Sequence, residues 1–576
     1  MRVEKFTVGL EKRYKVYTAL SPIFMLGEVL METTIPLVMA KIVDEGIASK
    51  NLPLVLRLGA IMALMSIVSL CFGVACGRFS SIAAFGFSRN LRRLLFEAVQ
   101  QFSFCSSEKF GTGSLVTRLT TDVTNVQNLY QNIVRSCVRA PLMLILGIFM
   151  ASSINSRLSL IFFAAVPPLA FLLIFINRVA YPRFCAMFKQ YDEMNVMVQE
   201  NLSAIRTVKA FVREDFESER FSKIADSLRR AQQNAEKIVV LSSPLMQFVV
   251  YLCIASALWF GGSMILSEEM SVGGLISFLS YISRVLMSLM MLGMIFVQVV
   301  LSRASILRIS ELLDEPIEDA GGTETTLSDG SVEFLDVDFE YTKNRPVLSK
   351  INLKIESGEF VGILGGTGSA KSTLIRLIPR FLDVANGIVR VGGKNVRDYD
   401  IRALRKEIAF VPQKSELFSG TIQENLFWGK ENATNQELVE SCTIAAADDF
   451  VRAFPNGYNE KIGQGGVTLS GGQRQRLCIA RAILKKPKIL ILDDSLSAVD
   501  ASTERKIRAS LQNSDFLSKT TKIIIAQRIK SVLAADRIIV LDDGKIAGVG
   551  THDFLLSSCS VYRELYASQK EDDGNE

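Results

Sequence analysis

No C-x-x-C pair occurs among the nine cysteines of this chain. They are scattered, and several, such as Cys71, Cys76 and Cys253, lie inside apolar runs. Small buried hydrophobes are expected there, which excludes a disulfide framework and a cysteine metal site. No basic stripe is present either. The formal charge is +6, yet the basic residues flank apolar runs, so nucleic acid is not an expected partner. No cleavable signal pattern opens at Met1-Arg2-Val3-Glu4-Lys5, and the first apolar segment is long enough to stay in a membrane. No internal repeat is visible. Histidine is nearly missing: His552 is the only one in 576 residues.

What is present divides the chain in two. Mean hydropathy is positive despite 22% charged residues, because long apolar runs fill the chain up to about residue 305. The remainder has the mixed periodicity of an α/β protein. There, an apolar strand leads into Gly365-Gly366-Thr367-Gly368-Ser369-Ala370-Lys371-Ser372-Thr373, which has the spacing of a phosphate-cradling loop. Lys488-Ile489-Leu490-Ile491-Leu492-Asp493 is an apolar run ending in an acid, as a magnesium-holding strand requires. Between them lies Leu469-Ser470-Gly471-Gly472-Gln473. The three in this order resemble the nucleotide-binding domain of ATP-binding cassette (ABC) proteins.

Six spans with room for the roughly 20 apolar residues a bilayer needs are predicted at 17–40, 55–80, 133–153, 158–178, 239–265 and 274–299. Connections after the second and fourth spans are long and basic, with Arg89, Arg92 and Arg93 in one and Arg206, Lys209 and Arg213 in the other. The positive-inside rule puts them and both termini in the cytoplasm. The pattern resembles the membrane half of an ABC exporter. The expected fold is a membrane α-helical bundle of six transmembrane helices with long cytoplasmic extensions, followed by an α/β P-loop ATPase domain. Boundaries are expected at 1–312 (membrane domain), 313–330 (an acidic, Gly-rich linker), 331–570 (nucleotide-binding domain) and 571–576 (tail). The resemblance implies short transverse helices near 113–121 and 205–214; solvated helical hairpins are the alternative.

The resemblance also assigns roles. ATP and Mg2+ are the implied ligands, with Lys371 on the phosphates and Ser372, Gln413 and Asp493 around the metal. Tyr341, in Phe339-Glu340-Tyr341, is the adenine-stacking candidate, against a plain core or edge tyrosine. Leu469 to Gln473 would face the ATP held by a partner chain, and Ser497 and Asp500 would belong to the loop that senses that partner. Three positions depart from the family pattern. The last loop glycine is Ala370, whose methyl could crowd the phosphates. The glutamate after the magnesium aspartate is Asp494, with a loss of reach of about 1.5 Å. Misplacing a general base that far can cost on the order of a hundredfold in rate. The switch histidine is replaced by Gln527, which cannot become a cation. His552, in a common segment beyond the switch, is not read as catalytic.

Asp494 and Gln527 weaken one half-site while the signature is intact. This resembles the degenerate-site subunit of heterodimeric bacterial multidrug ABC exporters. The reading is ATP-driven export of an amphipathic or drug-like solute through a prokaryotic plasma membrane, with a second half-transporter as partner. Two alternatives stay open: a homodimeric lipid or peptide exporter with two slow sites, and an ATP-binding regulatory membrane protein without transport. Glu28 and Glu32 share a helix face and could draw a cation into a cavity, could pair with Arg135, Arg139 or Arg284, or could lie near the lipid headgroups. Met287, Met290, Met291 and Met294 suit varied apolar cargo or plain packing. Pro167 and Pro168 are expected to bend the fourth span.

Overall fold

The computed structural model describes residues 12–342 and 345–573. Two compact units emerge: one combines the chain up to Gln101 with Phe110–Glu315, the other combines Phe102–Lys109 with Pro316 onward.

The first unit is helical. Its elements are α1 (Lys12–Lys41), α2 (Leu52–Gln100), α3 (Thr112–Thr117), α4 (Val123–Ile154), α5 (Leu160–Ser203), α6 (Ile205–Ala210), α7 (Glu214–Leu266) and α8 (Val272–Asp314). Six helical stretches among the described residues are long and apolar enough to cross a membrane. Hydrocarbon offers no partner for a free backbone N–H or C=O, so spans of this composition must close their hydrogen bonds internally as helices. Local signals set their starts. The Asn51 side chain accepts from the Leu54 N–H at 3.2 Å, and Pro53 sits in the first turn of α2, where its missing donor costs nothing. The Ser271 hydroxyl accepts from the Gly274 N–H at 3.0 Å and caps α8. Pro167 and Pro168 lie inside α5, which continues through both as one helix. The two loop tips carry α3, extended by a π-helical turn at Arg118–Asp122, and the exposed α6.

Helix α8 lies against α1 and α4. Ser277 donates to the Pro36 carbonyl at 2.5 Å, and the Tyr281 hydroxyl donates to the Thr33 carbonyl. Gly147 of α4 lets Val285 approach; a Cβ there would meet its methyl at 2.7 Å. Farther along α8 a polar ladder replaces apolar packing. Asn132 donates to Gln298 at 3.0 Å and Asn125 to Ser305 at 3.1 Å. Arg308 grips the fully buried Asp122 with two N–H groups, and Arg118 donates to Glu311 at 2.7 Å.

The second unit holds two main sheets. The first has the order β2 (Arg345–Ile355), β1 (Val332–Thr342), β4 (Asn386–Val391) and β5 (Lys394–Asn395), all antiparallel. The second has the order β12 (Lys545–Gly550), β11 (Arg537–Asp542), β3 (Phe360–Leu364), β10 (Thr521–Ile525), β9 (Ile489–Asp493) and β6 (Ile408–Val411). It is parallel except at β12. Strands β3, β9 and β10 are buried at every residue, which explains the apolar runs Phe360–Leu364, Ile489–Leu492 and Ile523–Ile525 within them. A separate pair, β7 (Gly420–Thr421) and β8 (Lys461–Ile462), completes the strands. Helices used below are α9 (Lys371–Arg376), α10 (Gly471–Leu484), α11 (Ala501–Asn513), α12 (His552–Ser558) and α13 (Ser560–Asp573).

The stretch expected as a linker, 313–330, needs correction. Leu313 and Asp314 still belong to α8, and residues from Pro316 are part of the second unit. Gly322 N–H donates to the Tyr399 carbonyl at 2.9 Å, and Asp400 N–H to the Glu324 carbonyl at 2.8 Å. Glu318 pairs with Arg405 through two bonds of 2.7 and 2.8 Å, and Leu327 is buried in the core. The acidic composition reflects basic partners across the unit, not a solvated tether.

Removing Arg308 would strand the Asp122 carboxylate. Arg308→Ala is expected to destabilise the first unit by about 1–3 kcal/mol, less than a fully buried pair because Arg308 is half exposed. Thermal unfolding of detergent-purified protein checks this; an unchanged midpoint would remove the pair from the stability argument.

Candidate functional site

In a parallel sheet the loops that can bind a ligand gather at the carboxyl ends of the strands. Here β3, β10, β9 and β6 are consecutive neighbours. The loop after β3 carries Gly365 to Ala370, the one after β10 carries Gln527, the one after β9 carries Asp494, and the one after β6 carries Gln413. Four segments scattered over some 160 residues therefore meet along one sheet edge.

The first loop is folded round its own lysine. Lys371 Nζ donates to the Gly365 carbonyl at 2.9 Å, the Gly366 carbonyl at 2.7 Å and Ser369 Oγ at 3.2 Å. Gly366, Thr367 and Gly368 are exposed, and a Cβ at either glycine would meet nothing within 4 Å. That open space above a lysine and the start of α9 fits a phosphate chain. Burial, opposed by the Asp494 and Asp493 carboxylates, holds the Lys371 ammonium below its ordinary value. Ser372 Oγ donates to Asp493 Oδ1 at 2.7 Å, so the two groups expected on magnesium are adjacent. Burial pushes the Asp493 carboxyl upward, opposed by the Ser372 hydrogen bond. The Tyr341 hydroxyl lies 3.2 Å from Thr373 Oγ1, beside the loop, and its ring is half exposed. It is not a core tyrosine.

Ala370 has φ +70° and ψ 21°. The sequence points to a methyl crowding the phosphates; the backbone adds a second reason for glycine there, since a left-handed conformation costs an L-residue about 1–2 kcal/mol.

Asp494 is where three loops converge. Gln527 Nε2 donates to its Oδ2 at 2.9 Å, and Gln413 Nε2 to the same oxygen at 3.3 Å. Burial and then the Asp493 charge push the Asp494 carboxyl upward, against these two bonds. Gln569, on α13, was not legible as a site residue. It donates to the Gln527 carbonyl at 2.8 Å and accepts from the Ile529 N–H at 2.8 Å, clamping the loop that holds Gln527. His552 lies outside this cluster, with Nδ1 2.7 Å from the Tyr562 hydroxyl.

The signature forms the start of α10. Ser470 Oγ accepts from the Gln473 N–H at 3.2 Å, and Gln473 Oε1 accepts from the Ser470 N–H at 3.0 Å. This is a capping box, a pattern that S-x-x-Q already carries in the sequence. Leu469 is buried beneath it, while Ser470 and Gly471 are exposed. Gly472 lies close to the following loop, where a Cβ would stand 3.1 Å from the Ala498 carbonyl. In that loop Ser497 Oγ donates to the Asp494 carbonyl at 2.8 Å. Asp500 caps α11, accepting from the Thr503 N–H at 2.9 Å and Ser502 Oγ at 2.6 Å, and these bonds hold its carboxyl well below the usual range. Its side chain is thus engaged locally.

In the first unit, pairing wins over a free acidic pair. Arg139 donates to Glu28 through one nitrogen and to both Glu32 oxygens at 2.9 Å through the other. Arg284 stands 3.8 Å from Glu32. Arg135 is exposed, one turn from Arg139. Of the alternatives for Glu28 and Glu32, the structure shows pairing and not a free acidic pair for a cation: two acids and two bases cancel. Met287 and Met291 line a cavity of about 620 Å³ with Glu32, Arg139 and Arg284. Met290 packs in the core instead, and Met294 is exposed.

Ala370→Gly is expected to change stability by less than about 1 kcal/mol, because relief of left-handed strain offsets the glycine's extra unfolded-state entropy. Ala370→Val should lower it by about 1–3 kcal/mol, since a β-branched residue fits that conformation poorly. Thermal unfolding of the full chain separates the two; equal midpoints would mean that the loop relaxes without strain.

The two units match the models for the ABC transporter transmembrane region, over residues 18–290, and for the ABC transporter, over residues 348–497. The chain is 36% identical over 567 residues to the ABC transporter ATP-binding protein YfiB of Bacillus subtilis (strain 168), covering 98% of both. It is 33% identical over 484 residues to the ATP-dependent lipid A-core flippase of Desulfotalea psychrophila, covering 84% of both. Its fold resembles that of a bacterial Atm1-family ABC exporter solved with ATP bound, with a TM-score of 0.84, 25% identity and 97% of this chain and 98% of that one covered. The chain belongs to the ABC transporters, as an exporter half-transporter whose transmembrane region is fused to a transport-coupled ATPase.

Proposed function

We propose that this chain is the degenerate-site subunit of a heterodimeric ABC exporter that moves amphipathic solutes across a prokaryotic plasma membrane, with its ATPase unit in the cytoplasm. The observation that carries this reading is the state of Asp494. Its carboxylate is short, desolvated and engaged at one oxygen by two neutral amides, Gln527 and Gln413. The signature beside it is complete, with Ser470 and Gln473 locked in their reciprocal bonds.

In this reading Gly365 to Ala370 wrap the phosphates of ATP with backbone N–H groups, Lys371 balances their charge, and Tyr341 stacks on the base. Ser372 and Asp493 hold Mg2+, with Gln413 alongside. The ion, when bound, supplies positive charge against the phosphate oxygens. Ser470 accepts a backbone N–H as a cap, so its hydroxyl proton is free to donate to a phosphate held by the partner. Gly471 and Gly472 add N–H groups at the same helix start. Ser497, bonded to the Asp494 backbone, ties the partner-facing loop to the catalytic position. Asp494 polarises water poorly, and Gln527 donates a hydrogen bond without a cationic charge. ATP on this half-site therefore persists while the other half-site turns over. A second reading, a homodimeric lipid exporter with two slow sites, draws on the similarity to the protein named as a lipid A-core flippase.

Two experiments discriminate. The lone chain should hydrolyse ATP slowly; brisk cooperative turnover would favour the homodimer. With its partner present, Asp494→Asn should cost little and Ser470→Ala much more, since a lost transition-state contact of about 2–4 kcal/mol is on the order of 30- to 1000-fold. Ser470→Asp keeps the helix cap but opposes the phosphate, so it should fail equally if the loss concerns the ligand and not the cap. The reverse ranking would mean that the half-sites are assigned the wrong way round.

The raised Asp494 carboxyl also has a stability consequence. A folded value above the unfolded one means that the charged form is penalised in the fold at neutral pH, and that the penalty fades as pH falls through the folded value. Asp494→Asn should therefore raise the thermal midpoint at neutral pH, with the gain shrinking toward about pH 4. A gain that grows on acidification would contradict the burial argument.

A further inference from the structure

We infer that Arg284 is the headgroup site of the export cavity and that it selects amphiphiles with an anionic head; this rests on the export reading above. The argument begins with hydrogen-bond supply. Arg139 spends both terminal nitrogens on Glu28 and Glu32. Arg284 has one ionic neighbour among the described residues, Glu32 at 3.8 Å, which is too long for a hydrogen bond. A guanidinium carries five N–H donors, so Arg284 offers an unspent planar fork. It is one-third exposed and lines the cavity of about 620 Å³.

Glu28 Oε2 has no hydrogen-bond partner among the described residues, but it is buried and Glu28 does not line the cavity, so the acids offer the cavity nothing equivalent. Both Glu32 oxygens accept from Arg139, and Glu28 packs against Gly73 of α2, where a Cβ would stand 3.2 Å from its carboxylate. The cavity therefore presents spare guanidinium donors at Arg284. Inside a span such a group calls for an acceptor of opposite charge.

Spacing on α8 supplies the rest. Met287 and Met291 follow Arg284 by three and seven residues, so they share its face. At 1.5 Å per residue, Met291 lies roughly 10 Å along the axis from Arg284. Met143 of α4 lines the same cavity. Charge at one end and adaptable thioethers at the other match an anionic head with an apolar tail.

The test uses the transporter purified with its partner in zwitterionic-lipid membranes. Tetradecyl phosphate, tetradecylphosphocholine and tetradecyltrimethylammonium share one tail and differ in head. For each, the half-maximal concentration for changing ATPase rate and the ATP-dependent uptake into inside-out vesicles are measured. The phosphate should act at a concentration at least roughly tenfold lower than the ammonium, the range of a charge-assisted hydrogen bond. Arg284→Gln should shrink that preference to within about threefold, and Arg284→Lys should keep part of it, which guards against a folding artefact. Inorganic phosphate at the same concentration should not compete, because it lacks the tail.

A preference for the ammonium, a preference that survives Arg284→Gln, or full competition by inorganic phosphate would each overturn the inference. If all three probes are taken up equally, export stands and the headgroup site falls. If none is taken up with ATP, the export reading falls and this inference with it.

Discussion

A charge removed from water needs a partner, and both units are arranged round that requirement. In the bundle, Arg139 binds Glu28 and Glu32, joining α4 to α1, while Asp122, fully buried, takes Arg308 from α8. In the ATPase unit, Asp493, Asp494 and Lys371 lie together beneath an open loop. Each is shifted toward its neutral form by burial; attraction between Lys371 and the two carboxylates opposes that shift, while the Asp493 charge adds to it at Asp494. The bundle resolves its charges by pairing them off. The ATPase unit leaves them under tension beside a space that fits phosphates.

That difference separates structural from functional charge. Asp122 and Arg308 saturate each other, as do Glu32 and Arg139. Lys371 borrows backbone carbonyls of its own loop, partners that a phosphate can replace. Arg284 has still less, a single ionic neighbour among the described residues and beyond hydrogen-bond reach. Unspent donors in a low-dielectric site are where binding free energy is available.

Asp494 and Gln527 are more than two departures in a row of motifs. Gln527 and Gln413 both donate to one oxygen of Asp494, and Gln569 holds the backbone around Gln527 from a helix at the end of the unit. Amides at these positions give a self-consistent network in which no proton need move. Ser470 caps α10 through its oxygen lone pair at an exposed helix start.

The sequence by itself determined the class of the fold and carried the local motifs of the candidate site. Apolar runs of bilayer length have one stable outcome, because hydrocarbon leaves the backbone no other partner. Strands β3 and β9 read as nearly continuous apolar segments because both sheet faces are covered. The phosphate loop, Asp493 and the signature were legible because each is local, with chemistry held in consecutive residues. What spanned the fold was not. The fate of Glu28 and Glu32 depended on whether Arg139, more than a hundred residues away, pointed at them. The acidic stretch after α8 looked like a tether until Arg405, Arg380 and Tyr399 came to meet it. Gln569 carries no local pattern, and the left-handed backbone of Ala370 is a property of the turn, not of alanine. Covalent neighbours set periodicity and motif; only the tertiary structure brings a distant charge or donor within 3 Å and decides whether it is spent or free.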